Sequence, residues 1–196
     1  MKILLATHNP AKIQSYRQKL GKIGVEFCTL DDLGIKEKYQ EIGNTFEENA
    51  RDKTLFYYNL SQMPTLGDDG GFEIDYFNGE PGVKSKRWLG YEASDEELVN
   101  HLKKIIPTIP IDQRSARFVA VSCLVNNPEQ IHLFKNTKEG YITNDIRDDY
   151  PVGFPYRCCF VSSDFNKHVQ DLTESEREAI SHRLKNLESL KQYLLN

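Results

Sequence analysis

The chain has 196 residues, 39% of them hydrophobic and 28% charged, and a formal net charge of −4 at pH 7. That supplies a sizeable core for one domain spanning residues 1–196, with room for two lobes, and it argues against a protein that coats nucleic acid through a basic surface. The four cysteines, Cys28, Cys123, Cys158 and Cys159, form no CxxC pair and have no histidine at zinc-finger spacing. They are expected as reduced, buried thiols in a reducing compartment.

In chain order, Lys2 to Thr7 reads as a buried strand, an apolar run too short for a signal peptide or membrane span. With no longer apolar stretch elsewhere, the expected address is the cytoplasm. Asn9 offers an N-cap and Pro10 a first helical position, so a helix is predicted to about Gly21. Val25 to Leu30 reads as a second strand, and residues 31–44 as polar and irregular. Thr45 and Glu48 form a capping box that opens a helix closed before Pro64. Thr65 to Gly67 reads as a short strand feeding Asp68-Asp69-Gly70-Gly71. The alternation of Phe72, Ile74 and Tyr76 then predicts a separate strand ending at the Asn78-Gly79 turn. Ser94 and Glu97 form a second capping box, for a helix to about Ile106. Strands are predicted over 117–126, 130–137, 139–146 and 160–162. Thr173 and Glu176 form a third box, and a terminal amphipathic helix covers 181–195. Strands and helices mix throughout, so the class is α/β with some antiparallel pairing.

Chemistry concentrates in a few places. In Thr7-His8-Asn9-Pro10-Ala11-Lys12, a strand gives way to a helix N-terminus, where free N–H groups, the helix dipole and a lysine suit phosphate. The same residues also make an ordinary capped helix with a surface lysine, and they lack the glycines of a Walker A loop. Asp68 and Asp69 set two like charges side by side, a conflict that a divalent cation removes. An exposed Asp-Gly turn is the competing reading. Glu41 lies in the irregular stretch, able to reach a metal, and Lys53 two turns into its helix, able to reach a phosphate. Lys84, Lys86 and Arg87 stand beside the only tryptophan, Trp88, in a segment suited to a nucleotide or to a solvated loop. His182 and Arg183 fall in the first turn of the last helix, where positive charge opposes the dipole. That misfit points to a role such as hydrogen-bonding a base.

Taken together and in order, these segments resemble the inosine triphosphate pyrophosphatase family, which removes non-standard purine triphosphates such as ITP, dITP and XTP. The resemblance rests on residues 7–12, on Thr45 to Ala50 with Lys53, and on Asp68 to Asp75 followed by Asn78 to Val83. It continues through Gly153-Phe154 and Ile180-Ser181-His182-Arg183, so it spans nearly the whole chain. It implies an elongated two-lobed α/β fold around a long twisted mixed sheet with flanking helices, an active site in the cleft, and a homodimer. It implies Mg²⁺-dependent hydrolysis of a nucleoside triphosphate to monophosphate and pyrophosphate. By the same resemblance, Thr7, His8, Asn9, Lys12 and Lys53 hold the triphosphate. Glu41 and Asp69 bind Mg²⁺ with Asp68 nearby, and Asp69 is the base that prepares water. Phe154 stacks on the nucleobase, His182 and Arg183 read its edge, and Lys86 is a further phosphate contact.

Four positions depart from the family pattern, among them Pro155, which stands where a glycine is usual. Gly70 stands where a serine is usual. Arg157 stands where an aspartate is usual, reversing a charge near the base pocket and setting a second arginine there with Arg183. Arg177 replaces a lysine. The phosphate half of the motif set is therefore intact and the base-reading half altered. A house-cleaning enzyme for pyrimidine or modified nucleotides, and a nucleotide-binding sensor without turnover, are the competing functions.

Overall fold

A computed structural model of the chain describes residues 2–20 and 24–195. Five α-helices and eight strands alternate along it: β1 Lys2–Leu5, α1 Pro10–Leu20, β2 Glu26–Thr29, α2 Phe46–Ser61, β3 Thr65–Ile74, β4 Pro81–Gly82, α3 Asp95–Ile105, β5 Ser115–Asn127, β6 Gln130–Ile142, β7 Phe160–Ser162, β8 Lys167–His168, α4 Glu174–Ala179 and α5 His182–Leu195. The eight strands form one mixed sheet in the order β2-β1-β3-β5-β6-β7-β8, with β4 paired to β3. β1 runs parallel to β2 and β3, while β7 runs antiparallel to β6 and β8. The predicted α/β class with some antiparallel strands is what forms. The expected end of α1 near Gly21 lies outside the described residues.

The helix starts follow from local chemistry. Thr45, Ser94 and Thr173 each accept a hydrogen bond from the backbone N–H three residues on, and Glu48, Glu97 and Glu176 reach back to the cap N–H. Each satisfies donors that the helix itself leaves open, worth about 0.5–2 kcal/mol.

Two compact units make up the chain. The first comprises Met1–Gly70, Ala120–Asn136 and Arg183–Asn196, and the second Gly71–Val119 and Thr137–His182. Each has its own apolar core. In the first, Ile3, Leu5, Leu20, Leu66, Leu124 and Leu190 bury together, with Leu4, Leu30 and Tyr57 in a second cluster. In the second, Phe72, Leu98, Leu102, Ile106 and Phe160 do so. A buried side chain of this size contributes about 1.5–3 kcal/mol, enough for both cores to be substantial.

Three strand expectations change. The two short strands predicted on either side of Asp68-Asp69-Gly70-Gly71 are one ten-residue strand, β3. The acids therefore lie within β3, and the exposed Asp-Gly turn is excluded. The strands predicted over 130–137 and 139–146 are the single strand β6, which stops at Ile142. Tyr76 falls in a 3-10 turn, Asp75–Phe77, rather than in the strand. Gly67 of β3 lies tight against α2, and a Cβ there would drive into Thr54 Oγ1. Among the described residues no helix is long and apolar enough to cross a membrane. The four cysteines are free and buried, as expected.

Candidate functional site

The first unit gathers Thr7, His8, Asn9, Lys12, Glu41, Lys53, Asp68, Asp69, Gly70 and Arg183; the second holds Lys86, Phe154, Arg157, Arg177 and His182.

In the first unit the turn from β1 into α1 is built from its own side chains. Thr7 Oγ1 accepts from the Asn9 N–H at 3.1 Å, and Asn9 Oδ1 accepts from the Lys12 N–H at 3.4 Å. This cap aims Lys12, one turn into α1, at β3: Lys12 Nζ lies 2.7 Å from Asp68 Oδ2. The lysine turn and the paired acids thus meet directly. A second pair repeats the pattern, with Lys53 Nζ donating to Glu41 Oε1 at 2.5 Å. His8 instead faces the exposed Asp31, at 3.7 Å.

Both aspartates are buried, yet their environments differ in sign. Burial alone would raise the Asp68 carboxyl, but the charges of Lys12, Lys53 and Arg183, with the Lys12 hydrogen bond, hold it below the usual aspartate range. Burial raises Asp69, and the Glu41 charge adds to the rise against Lys53, the Gly70 N–H and Asn49. Burial lowers the Lys12 ammonium, with Asp68 opposing and Arg183 and Lys53 reinforcing. Burial would also lower Lys53, but Asp68, Glu41 and Asp69 together raise it.

One oxygen of each aspartate, Asp68 Oδ1 and Asp69 Oδ2, is buried without a hydrogen-bond partner among the described residues. A buried carboxylate oxygen left unpaired is costly, and a hard cation with oxygen ligands answers it. Among the described residues no three or more His, Cys, Asp or Glu side chains cluster as a self-sufficient metal cage. The donors fit an ion such as Mg²⁺, which takes one or two carboxylates and completes its shell with water and substrate phosphates.

Sequence reasoning missed three neighbours of this cluster. Tyr16 and Ser122 line a small pocket with Lys12, Asp68, Arg183 and Leu187, and burial, with the Asp68 charge, raises the Tyr16 hydroxyl well above its usual range. Tyr16 sits mid-helix on α1 and Ser122 arrives from the distant strand β5, so no local signal marks the pair. Asn49 accepts from the Gly43 N–H at 2.8 Å and acts on Asp69. It did leave a trace: a polar residue between Phe46 and Ala50 on the buried face of α2.

In the second unit, Phe154 precedes a 3-10 turn, Pro155–Cys159, in which the Arg157 N–H donates to the Phe154 carbonyl at 3.1 Å. Aromatic ring and guanidinium thus sit on one turn. Within this unit the Arg177 charge acts on Arg157. Arg183 acts on Lys12 and Asp68. His182 is buried, its ring stacked near Phe118 with centroids 6.1 Å apart. Lys86 is exposed and lines an open pocket of about 520 Å³ with Ser94, Asp95, Glu96, Tyr150 and Gly153. Trp88 packs against Phe77 and His101, with centroids at 5.9 and 4.9 Å, so the second unit's core accounts for it.

An α/β protein with a lysine-bearing helix N-terminus set against paired buried acids belongs to the class of phosphate- and metal-handling folds. A profile of the Ham1 family matches residues 3–193, and the chain belongs to that family. It is 36% identical over 195 residues to a dITP/XTP pyrophosphatase from Thermoanaerobacter pseudethanolicus, covering 100% of this chain and 97% of that one. It is 32% identical over 191 residues to the dITP/XTP pyrophosphatase of Bacillus subtilis, covering 97% and 96%. Among solved structures, a Ham1 protein from Coxiella burnetii superposes with a TM-score of 0.90 at 28% identity, covering 100% of this chain and 98% of that one.

Proposed function

We propose that this chain hydrolyses non-standard purine nucleoside triphosphates, the dITP and XTP named for its relatives, to the monophosphate and pyrophosphate. The observation that carries the proposal is the Lys12–Asp68 contact of 2.7 Å, which joins the expected phosphate turn to the expected metal acids. In this reading Thr7, His8, Asn9, Lys12 and Lys53 receive the triphosphate, and Gly70 leaves its backbone open to it. The triphosphate takes over Lys12 and Lys53 from Asp68 and Glu41, which returns those carboxylates to Glu41, Asp68 and Asp69 as a Mg²⁺-binding set. When bound, Mg²⁺ supplies neutralisation of charge on the departing pyrophosphate.

Asp69 holds the attacking water and accepts its proton at a carboxylate oxygen as the water adds to the α-phosphorus. The bond from that phosphorus to the bridging oxygen breaks, and the electron pair leaves with pyrophosphate. Lys12 and Lys53 meet the charge that develops there, without having to reorganise. Phe154 stacks on the base, and Arg177, His182 and Arg183 hydrogen-bond its edge, with Lys86 as an accessory phosphate contact. The protein acts as a homodimer in the cytoplasm, and light scattering on a sizing column checks the first of these.

The direct test incubates the protein with Mg²⁺ and a panel of triphosphates and measures pyrophosphate. Release from ITP, dITP or XTP well above ATP and GTP supports the proposal. Release confined to pyrimidine or modified nucleotides, or tight binding with no release, replaces it with one of the competing functions.

A further inference from the structure

Among the arginines of the second unit, Arg117 and Arg147 are paired with acids, whereas Arg114, Arg157 and Arg177 bond to amide or carbonyl oxygens. Arg117 contacts Glu73, Asp75 and Glu139, and Arg147 contacts Asp145 and Asp171. Arg157 has no carboxylate partner among the described residues. Its one hydrogen bond there runs from Nη2 to Gln170 Oε1 at 3.2 Å, and its Nε is buried without a partner. Arg177 donates from Nε to the Leu172 carbonyl at 2.8 Å and likewise forms no ion pair among the described residues. Burial, followed by the Arg177 charge, lowers the proton affinity of Arg157. A like-charged, partly desolvated couple is unfavourable unless something anionic completes it.

The placement says what that is. Arg157 lies three residues beyond Phe154 on the same turn, bonded to its carbonyl. A planar ring stacked on Phe154 presents its edge to a guanidinium, which suits adjacent oxygen and nitrogen acceptors. Gln170 is itself fixed, donating to the Asp149 carbonyl at 2.8 Å and, through its N–H, to His168 Nδ1 at 3.2 Å, so Arg157 is held rather than loose.

We infer that Arg157, with Arg177, is a specificity determinant that selects a purine base bearing negative charge, favouring xanthine nucleotides over hypoxanthine nucleotides. A purine with carbonyls at both C2 and C6 is a much stronger N–H acid than one with a carbonyl at C6 alone. Near neutral pH the xanthine ring is largely anionic while hypoxanthine is neutral. The inference rests on the proposed pyrophosphatase reading and narrows it to one half of the relatives' dITP/XTP pair.

The test measures kcat/KM for XTP and for ITP with Mg²⁺, in the full chain and in Arg157→Gln, Arg157→Lys and Arg177→Gln. The expected result is a preference for XTP in the unaltered chain. Its XTP-to-ITP ratio should fall about tenfold to a hundredfold in Arg157→Gln, the range of one charge-assisted hydrogen bond, and be largely kept in Arg157→Lys. A ratio unchanged in a folded Arg157→Gln protein overturns the inference and leaves the pyrophosphatase reading standing. Should Arg157→Gln fail to fold, the ratio in Arg177→Gln decides by the same criterion. Absence of turnover with either nucleotide overturns both.

Discussion

Both units pair cations with acids, but the second also holds two arginines, Arg157 and Arg177, with no carboxylate partner among the described residues. In the first, Lys12 is held by Asp68 and Lys53 by Glu41. In the second, Arg157 has an amide oxygen and Arg177 a backbone carbonyl as hydrogen-bond partner. A neutralised cluster is stable by itself and must be opened by what binds it. An unneutralised couple is destabilising by itself and is completed by what binds it. In the proposed reading the paired set receives the polyphosphate and the unpaired arginines select among bases, two tasks given to differently balanced sets of charges.

The sharpest attempt to break this picture is at the acid whose carboxyl is raised. Asp69→Asn is expected to lose turnover by about 10²- to 10⁴-fold, the usual range for general base catalysis, with no loss of thermal stability. A pyrophosphate assay beside a melting curve reads both, and a wild-type rate would remove Asp69 from the mechanism. Next comes Lys12→Met, which leaves Asp68 buried without its nearest counter-ion. With Lys53 and Arg183 still acting on Asp68, the expected cost is about 2–4 kcal/mol in urea denaturation. The Lys12→Met/Asp68→Leu double variant should recover much of it, and a full loss retained in the double variant would show that the pair is not coupled.

A smaller effect follows from His168, which supports Gln170 and so Arg157. Burial lowers its pKa below 6.5, and it donates from Nε2 to the Cys158 carbonyl while accepting at Nδ1 from the Gln170 N–H. The folded protein resists the proton more than the unfolded chain does. Its stabilising contribution is thus complete above the unfolded pKa and is lost as pH falls through both values. Denaturation midpoints between pH 7.5 and 5 should drop more in the unaltered chain than in His168→Gln; parallel curves would contradict this. The smallest effect belongs to Lys135→Ala, which breaks an exposed pair with Glu47. Within about 0.5 kcal/mol and without change in turnover, it serves as the surface reference for the others.

Much of the architecture could be read from local chemistry. The capping boxes at Thr45, Ser94 and Thr173 marked three helix starts because an N-cap and its glutamate partner lie within four residues of each other. Asp68-Asp69-Gly70-Gly71 misled because acids and glycines are ordinary turn formers. Their place within a buried strand is set by pairing with β1 and β5, partners remote in sequence. The same non-locality hid Ser122, which lines one small pocket with Asp68 from a distant strand. The motif order located the lysine turn and the acids, whereas their counter-charges depend on distances that no spacing along the chain encodes.

The lone hydrogen at position 67 acts as a spacer gauge. Thr54 follows Lys53 on α2, and Gly67 precedes Asp68 on β3, so the clearance between Thr54 Oγ1 and the Gly67 backbone sets how near an ammonium is brought to a carboxylate one residue away. A methyl group inserted there would touch neither charge. It would wedge helix from strand and blunt catalysis by simple leverage.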